Sequence, residues 1–219
     1  IIKVTNWEPD NAEIEPGKDN LSVCQEPSAV GVEHLLLAKQ VRVGYGEGHW
    51  EVRTCDNTQT KPVIVNSTAT ASTINNLPLG TSTSAWVVER KKGNSADICS
   101  KEKIVTIENN YVESHQAVAY YEVCGPTSDL SAVDPKITYG AAAVGEWRLY
   151  DPSGVYGATP PTIANSTLNQ TTVSNLREGS TIFEWVVTRN SMCESKSTVH
   201  IDNNYVKAEI LKVNGAAHT

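Results

Sequence analysis

Residues 76–88 read Asn-Leu-Pro-Leu-Gly-Thr-Ser-Thr-Ser-Ala-Trp-Val-Val, and residues 175–187 read Asn-Leu-Arg-Glu-Gly-Ser-Thr-Ile-Phe-Glu-Trp-Val-Val. Both stretches begin with Asn-Leu-x-x-Gly and end, at the same spacing, with Trp-Val-Val. The first part predicts a turn in which Gly80 or Gly179 adopts an unusual backbone angle. The second part predicts a β-strand with one buried face, since large apolar residues alternate along the second stretch.

The two stretches belong to an internal repeat that runs along nearly the whole chain. Further matched pairs, in the same order, are Cys24 with Cys124, Gly48-His49-Trp50 with Gly145-Glu146-Trp147, Asn66-Ser67-Thr68 with Asn165-Ser166-Thr167, Cys99 with Cys193, and Asn109-Asn110-Tyr111-Val112 with Asn203-Asn204-Tyr205-Val206. The offset between matched residues falls from 99 to 94 between Trp86 and Cys99. We interpret this step as a five-residue insertion at an exposed hairpin tip within 89–97.

Short apolar stretches alternate with turn residues in each repeat, a pattern typical of a β-sandwich. Val199 and Ile201 share one face of a further strand, as Val105 and Ile107 do in the first repeat. Apart from one possible turn at 34–39, no amphipathic helix is predicted. We therefore predict an all-β chain of two tandem immunoglobulin-like β-sandwich repeats in an elongated array. The predicted structural core residues are Trp50, Leu77, Trp86, Trp147, Leu176 and Trp185.

The repeat register also predicts the domain boundaries. The expected segments are the end of a preceding repeat (1–12), a first Ig-like repeat (13–112), a second Ig-like repeat (113–206), and the start of a following repeat or a linker (207–219). The outer segments are assigned because Val4-Thr5-Asn6 resembles the close of a repeat and Ala12-Glu13-Ile14 echoes Ala208-Glu209-Ile210. The chain is thus expected to begin inside one repeat and to finish inside another, as in a longer array.

Four of the five cysteines occupy matched positions, which predicts two disulfides, Cys24–Cys99 and Cys124–Cys193. Each loop of that length would stabilise the fold by about 4 kcal/mol in the chain-entropy model. The alternative is a set of reduced, buried thiols. Cys55 has no counterpart and is a reduced thiol, a partner for a neighbouring chain, or a competitor for Cys24 or Cys99. Disulfides require an oxidising compartment, which predicts an extracellular or cell-surface location.

The charge balance excludes one class of partner. The net charge is −7 and the isoelectric point is about 5.3. The only tight basic cluster is Arg90-Lys91-Lys92, which the repeat places at a hairpin tip, so no nucleic-acid partner is predicted. No apolar run approaches the length of a membrane span, so no membrane insertion by this segment is predicted. Ile1-Ile2-Lys3-Val4 lacks the apolar core of a signal peptide.

Motifs of the common enzyme classes are absent, and no catalytic residue, metal site or cofactor is predicted. Glu33-His34 is interpreted as a surface pair and Asp151-Pro152-Ser153-Gly154 as a plain turn rather than a calcium loop. The repeated Trp residues are interpreted as core, which leaves Trp7 as the better candidate for an exposed aromatic platform, the alternative being a residue that packs between units. The sequons at Asn66 and Asn165 are interpreted as turn chemistry.

The order Cys, Gly-x-Trp, Asn-Ser-Thr, Asn-Leu-x-x-Gly, Trp-Val-Val, Cys, Val-x-Ile-x-Asn-Asn, present twice, resembles the tandem Ig-like or PKD-like repeats of giant Bacteroidetes cell-surface proteins of the gliding-motility adhesin type. The resemblance covers nearly the whole chain. It implies type IX secretion, a place on the outer surface and a role in adhesion or motility, without catalytic residues. The family's Thr-Asn-Gly-x-Cys hairpin is replaced here by Asp97-Ile98-Cys99 and by Arg189-Asn190-Ser191-Met192-Cys193.

These observations predict a non-catalytic structural segment of a long secreted surface adhesin or fibre. Its expected partners are neighbouring repeats of the same polypeptide, neighbouring copies in a fibre, surface glycans or abiotic surfaces. One alternative is a subunit of a polymeric extracellular filament, in which 1–19 and 207–219 pair with the sheet edge of another chain. The other alternative is a carbohydrate-binding accessory module of a secreted enzyme, which requires exposed aromatic side chains in a row.

Overall fold

A computed structural model describes residues 6–27, 32–56, 61–91, 98–151, 156 and 159–206. The sequence motifs at 4–5 and 208–210, the expected terminal pairing segments beyond these limits, and most of the turn at 151–154 lie outside the described residues. The chain divides into two compact units. Unit 1 comprises Ile1–Val112 together with Thr188–Glu194, and unit 2 comprises Glu113–Val187 together with Ser195–Thr219.

The described residues of the first repeat, in unit 1, form seven strands in two sheets. The strands are β1 (Asn20–Val23), β2 (His34–Leu37), β3 (Glu47–Cys55), β4 (Val63–Ile64), β5 (Ala71–Asn75), β6 (Gly80–Lys91) and β7 (Ile98–Asn109). One sheet has the order β1-β7-β6-β3 and the other the order β2-β5-β4. Four strands facing three, with the last strand between the first and the sixth, give an immunoglobulin-like β-sandwich.

The second repeat builds the same architecture from the second half of the chain. Its elements are β8 (Tyr120–Val123), β9 (Ser128–Ser131), α1 (Pro135–Tyr139), β10 (Ala143–Leu149), β11 (Thr162–Ile163), β12 (Gln170–Ser174), β13 (Gly179–Arg189) and β14 (Cys193–Asn203). The sheet orders are β10-β13-β14-β8 and β11-β12-β9. Strand for strand these match unit 1, so the prediction of an all-β chain with two Ig-like sandwiches is confirmed.

The first strand of each repeat pairs in parallel with the last. Val23 of β1 stands opposite Asn109 of β7, and Val123 of β8 stands opposite Asn203 of β14. The neighbouring pairs are antiparallel, for example β3 with β6 and β6 with β7. The parallel pairing fixes which end of the last strand lies beside the first strand, and this decides the cysteine pairing described below.

The Asn-Leu-x-x-Gly turn adopts the expected geometry in both repeats. Asn76 and Asn175 have φ angles of 57° and 60°, and Gly80 and Gly179 have φ angles of 93° and 95°. Such positive angles are tolerated by Gly and, less readily, by Asn. The turn directs Leu77 into the core, where its side chain is fully buried.

The core of each unit is built on a pair of Trp residues. Trp50 and Trp86 have ring centroids 5.2 Å apart, and Trp147 and Trp185 have centroids 4.9 Å apart. All four are at most 2% exposed, as are the alternating residues Val105, Ile107, Val199 and Ile201, and Leu176 is 5% exposed. Burial of large apolar side chains from both sheets is the dominant stabilising contribution.

One short helix departs from the sequence prediction. Helix α1 begins after Asp134, whose Oδ1 accepts a hydrogen bond from the backbone N–H of Lys136 at 3.0 Å. Asp before Pro135 is a standard helix start. The capping carboxylate accepts a hydrogen bond from an otherwise unpaired N–H, and Pro has no backbone N–H that would need an acceptor. In the first repeat, residues 34–37 form strand β2 instead of a helical turn.

Candidate functional site

Two features outside the cores carry the functional argument: the cysteines and an aromatic–arginine cluster. The disulfide joins Cys24 to Cys193, with Cα atoms 5.6 Å apart. Cys99 and Cys124 are exposed thiols. The predicted pairs Cys24–Cys99 and Cys124–Cys193 are therefore wrong, although two of the four predicted residues do form a disulfide. Cys55, which the sequence left outside both predicted pairs, is a half-buried residue at the end of β3.

Strand geometry explains why neither predicted pair can form. Cys24 follows β1 immediately, and the last residue of β1 lies opposite Asn109 at the far end of β7 from Cys99. The ten residue steps from Cys99 to Asn109 span roughly 30 Å of extended strand. A disulfide requires Cα atoms within about 7 Å. The same geometry separates Cys124 from Cys193, because Val123 lies opposite Asn203.

The hairpin tip Thr188–Glu194, which belongs to unit 1, places Cys193 beside Cys24. The tip is a tight turn in which Asn190 and Ser191 have φ angles of 49° and 55°, as in the type I′ turn that favours two-residue hairpins. Asn190 Nδ2 donates to Glu108 Oε1 and to Asn110 Oδ1, both at 2.8 Å. Polar contacts to the end of β7 thus hold the tip beside Cys24.

The repeated Asn-Asn motif has a structural role that the sequence did not reveal. Asn109 is 1% exposed, and its Oδ1 accepts hydrogen bonds from the N–H groups of Gln25 and Tyr111 at 3.1 and 3.2 Å. Its Nδ2 donates to the carbonyl oxygens of Gln25 and Leu77 at 2.8 and 3.2 Å. Asn203 likewise donates to the carbonyl of Leu176 at 3.3 Å. In the sequence, only the matching of the Asn positions between the repeats pointed to this role.

A cluster of aromatic rings and guanidinium groups lies at the start of unit 1. The guanidinium of Arg90 lies 5.3 Å from the ring centroids of both Trp7 and Tyr45, and that of Arg42 lies 4.4 Å from the Tyr45 ring. These distances are typical of cation–π contacts. Trp7, singled out from the sequence, is half-buried in this cluster, whereas its three partners were not predicted.

An ion pair holds this cluster in place. Asp10 accepts hydrogen bonds from Arg42 Nη2 at 2.8 Å and from its backbone N–H at 2.9 Å, and the Asp10 N–H donates to the Tyr45 carbonyl at 2.9 Å. These contacts with Arg42 lower the pKa of Asp10 to about 2. The segment that carries Trp7 is thereby tied to the turn that carries Tyr45.

The cluster forms part of the wall of a groove of about 1180 Å³ in unit 1. Its walls include Trp7, Arg42, His49, Glu89 and Arg90. His49 Nε2 lies 2.8 Å from Glu51 Oε1. An aromatic surface flanked by charged hydrogen-bonding groups is suited to a polar ligand such as a sugar.

The remaining candidates from the sequence have local roles. Asn66 Oδ1 accepts hydrogen bonds from the N–H and hydroxyl of Thr68 at 3.2 and 3.1 Å, and Asn165 does the same with Thr167. These are turn contacts, as interpreted from the sequence. His34 Nε2 lies 2.9 Å from Gln25 Oε1, and burial lowers the pKa of His34.

Within the described ranges, no group of three or more His, Cys, Asp or Glu side chains is arranged to hold a metal ion. In the same part of the chain no helix has the length and apolar character needed to cross a bilayer.

No known protein family matches this sequence, and no curated protein is significantly similar to it. Solved structures with similar folds include the human desmocollin-1 ectodomain, at 13% identity and a TM-score of 0.33 over 90% of this chain and 41% of that one. A SusE-like, surface-located polysaccharide-binding protein from the heparin utilisation locus of Bacteroides thetaiotaomicron matches at 13% identity and 0.36 over 90% and 34%. The fibronectin(III)-like modules of Clostridium thermocellum CbhA match at 9% and 0.31 over 95% and 99%.

This chain spans less than half the length of the first two of these proteins. The assignment of an Ig-like sandwich rests on the strand order and register of each unit.

Proposed function

We propose that this chain is a non-catalytic, load-bearing segment of a long secreted bacterial surface fibre, composed of repeated Ig-like units and serving adhesion or gliding motility. The observation that carries the proposal is the Cys24–Cys193 disulfide, which joins residues 169 positions apart. It links cysteines that the sequence places in different repeats. A covalent link of this span suits a protein that must resist extension.

The mechanical consequence follows from the position of the bond. Tension applied to the two ends of the chain passes from Cys24 to Cys193 through the sulfur atoms, so the backbone between them cannot be extended while the bond is intact. Strand β14 continues past Cys193 and pairs with β8 inside the loop, so the second sandwich still meets part of the load, and its forced unfolding is governed by its unfolding barrier. The bond also requires an oxidising compartment, which supports an extracellular location.

The repeated residues support a structural rather than a catalytic role. The matched Trp, Leu and Gly residues lie in cores and turns, and the matched Asn residues bridge main-chain groups. A catalytic site needs polar side chains that converge on one point, and the residues matched between the repeats do not include such a set. The sequence resemblance supplies the further expectation of export by type IX secretion.

Immunogold electron microscopy of intact source cells, with antibodies against this chain, tests the proposal. Gold particles along filaments that extend from the cell surface are the expected result. Labelling that requires permeabilised cells, or labelling of the surface without filaments, would overturn it.

A second candidate function is glycan binding at the groove beside Trp7. The observation that favours it is the packing of Trp7 and Tyr45 on Arg90 next to a groove lined by charged side chains. Sugar-binding sites commonly combine an aromatic face with charged hydrogen-bonding groups. A glycan array probed with the chain and with Trp7→Ala tests it: binding that is lost in the variant supports the site, and an array without hits removes it.

A further inference from the structure

Cys24 and Cys124 are structurally equivalent. Each directly follows the first strand of its repeat, and the preceding valines, Val23 and Val123, stand opposite the buried Asn of the last strand. The carbonyl of each Val also accepts a hydrogen bond at 2.8 Å from the residue after that Asn. The strand that leads to the cysteine is therefore paired in the same way in both repeats.

Cys99 and Cys193 are equivalent in turn. Each lies at the start of the last strand of its repeat, the same number of residues before the buried Asn. The Arg on the opposite side of the hairpin also behaves alike: Arg189 donates to the Asn109 carbonyl and Arg90 to the Glu8 carbonyl, both at 3.2 Å. In each case the accepting carbonyl lies in the segment that leads into that Arg's own repeat. Arg90 and Arg189, each at the end of the strand that enters the hairpin, thus both contact the residues that precede their repeat.

The surroundings of Cys24 and Cys124 differ in what covers them. In unit 1, Asn110 is fully buried and bonded to Asn190 of the hairpin tip. In unit 2, the same Asn-Asn-Tyr-Val sequence leaves Tyr205 46% and Val206 84% exposed. Cys124 is an exposed thiol beside this surface. Among the described residues, Asn204 of the second repeat is exposed, whereas its counterpart Asn110 is buried and bonded to Asn190.

We infer that Cys124 and Cys99 each form a disulfide with a neighbouring repeat of this kind, and that both bonds are of the same type as Cys24–Cys193. Cys124 bonds a hairpin-tip cysteine at the Cys99 position of a following repeat, and Cys99 bonds the cysteine at the Cys124 position of a preceding repeat. The observed Cys24–Cys193 bond is one such link. This inference rests on the proposed repeat fibre and specifies how its units are joined.

The chemistry is a two-electron oxidation with a small-molecule disulfide as oxidant. A Cys124 thiolate attacks one sulfur of oxidised glutathione and releases one glutathione thiolate. The Cys99 thiolate of the neighbouring repeat then attacks the Cys124 sulfur of the mixed disulfide and releases the second glutathione. Two protein thiols are oxidised, one glutathione disulfide is reduced to two thiols, and the protons of the protein thiols pass to the released glutathione.

The test uses the purified chain with a second copy of itself as the neighbouring repeat. In a glutathione redox buffer, the wild-type chain should form a ladder of multimers on non-reducing gels, which reduction abolishes. Cys99→Ser and Cys124→Ser should each remain monomeric alone, whereas an equimolar mixture should give a dimer and nothing larger. Cys55→Ser is the matched control and should keep the ladder.

Peptide mapping of the mixed dimer should identify a Cys99–Cys124 linkage, with Cys24–Cys193 intact in both copies. A dimer formed by either Ser variant alone, or no dimer in the mixture, would overturn the inference. Labelled filaments on cells combined with the absence of a mixed dimer would overturn this inference alone and leave the proposed fibre standing.

The same linkage can arise within one longer polypeptide or between separate copies. Non-reducing gels of protein extracted from source cells distinguish the two. Reduction that splits the band into smaller chains indicates bonds between copies. Reduction that changes only the migration of one band indicates bonds between repeats of one polypeptide.

Discussion

Gly48 lies directly against the indole of Trp86, so that a Cβ added at residue 48 would stand 2.1 Å from Cζ2 of that ring. Gly145 has the same relationship to Trp185, at 2.0 Å. The two rings are 1% exposed and packed on their partner Trp residues, so they have no room to move. This contact gives the repeated Gly-x-Trp motif its physical reason.

We expect Gly48→Ala and Gly145→Ala to lower the free energy of unfolding by about 3 kcal/mol or more, since inserting a methyl group into a filled core displaces the ring. Chemical denaturation followed by Trp fluorescence measures the effect. Gly125→Ala is the control, because its added Cβ meets no atom within 4 Å. Equal stability of Gly48→Ala and Gly125→Ala would contradict the packing described.

The buried amide of Asn109 leads to a second prediction. Replacing it in Asn109→Ala leaves the carbonyl of Leu77 and both main-chain groups of Gln25 without these partners, which should cost about 2–3 kcal/mol. Denaturation midpoints measure this loss. A change below about 0.5 kcal/mol, the range of an ordinary surface substitution, would show that water replaces the amide.

Asn109→Asp provides a matched test of the same site. An ionised Asp keeps the acceptor but cannot donate to the carbonyls of Gln25 and Leu77. Burial and the two facing carbonyl oxygens raise the pKa of such a carboxyl against the opposing effect of the two N–H groups bonded to Oδ1. Because the folded state then binds its proton more tightly than the unfolded state, the variant should gain stability as the pH falls through that raised pKa. Wild type lacks this gain, and a variant without it would contradict the donor role of the amide.

The local parts of this fold could be predicted from sequence, and the long-range parts could not. The turn before Trp86 and the alternation around Val105 depend on neighbouring residues, so the pattern shows them directly. The pairing of Cys24 depends on β1 lying parallel to β7 and on a hairpin tip far along the chain. Matched positions indicated which cysteines correspond, but correspondence between repeats says nothing about which residues meet in space.

The candidate site shows the same division. Trp7 could be selected from the sequence because matching the two repeats leaves it as the one Trp without a counterpart. Its partners Tyr45, Arg42 and Arg90 lie on segments separated in sequence and converge through the ion pair with Asp10. Helix α1 is a different case. Asp134-Pro135 is a local signal for a helix start, but the helix has only five residues, too few for an amphipathic pattern to show in the sequence.

The Asp10–Arg42 pair predicts a measurable titration. The pKa of Asp10 is lowered from 3.8 to about 2 by its hydrogen bonds with Arg42. Its folded pKa lies below its unfolded pKa, so the pair stabilises the folded chain above pH 3.8 and loses this effect as the pH falls through about 2. Carboxyl chemical shifts in an NMR titration should give this value.

Arg42→Gln should return the pKa of Asp10 towards its ordinary value and loosen the contact between Trp7 and Arg90. Arg53→Gln is the control, since Arg53 pairs with Glu51 and Glu102 instead. An Asp10 pKa that stays low in Arg42→Gln would assign the shift to another group.

The Cys24–Cys193 bond makes the strongest mechanical prediction. When the chain is pulled from its ends with the bond intact, only residues outside this loop can extend. Reduction releases 169 residue spacings, which adds about 600 Å of contour length at roughly 3.6 Å per residue. Optical-tweezers extension curves in the presence and absence of a reducing agent measure the difference. Cys24→Ser should show the long extension under both conditions, whereas Cys55→Ser should behave as wild type. A wild-type chain that extends fully without reductant would show that the bond does not carry the load.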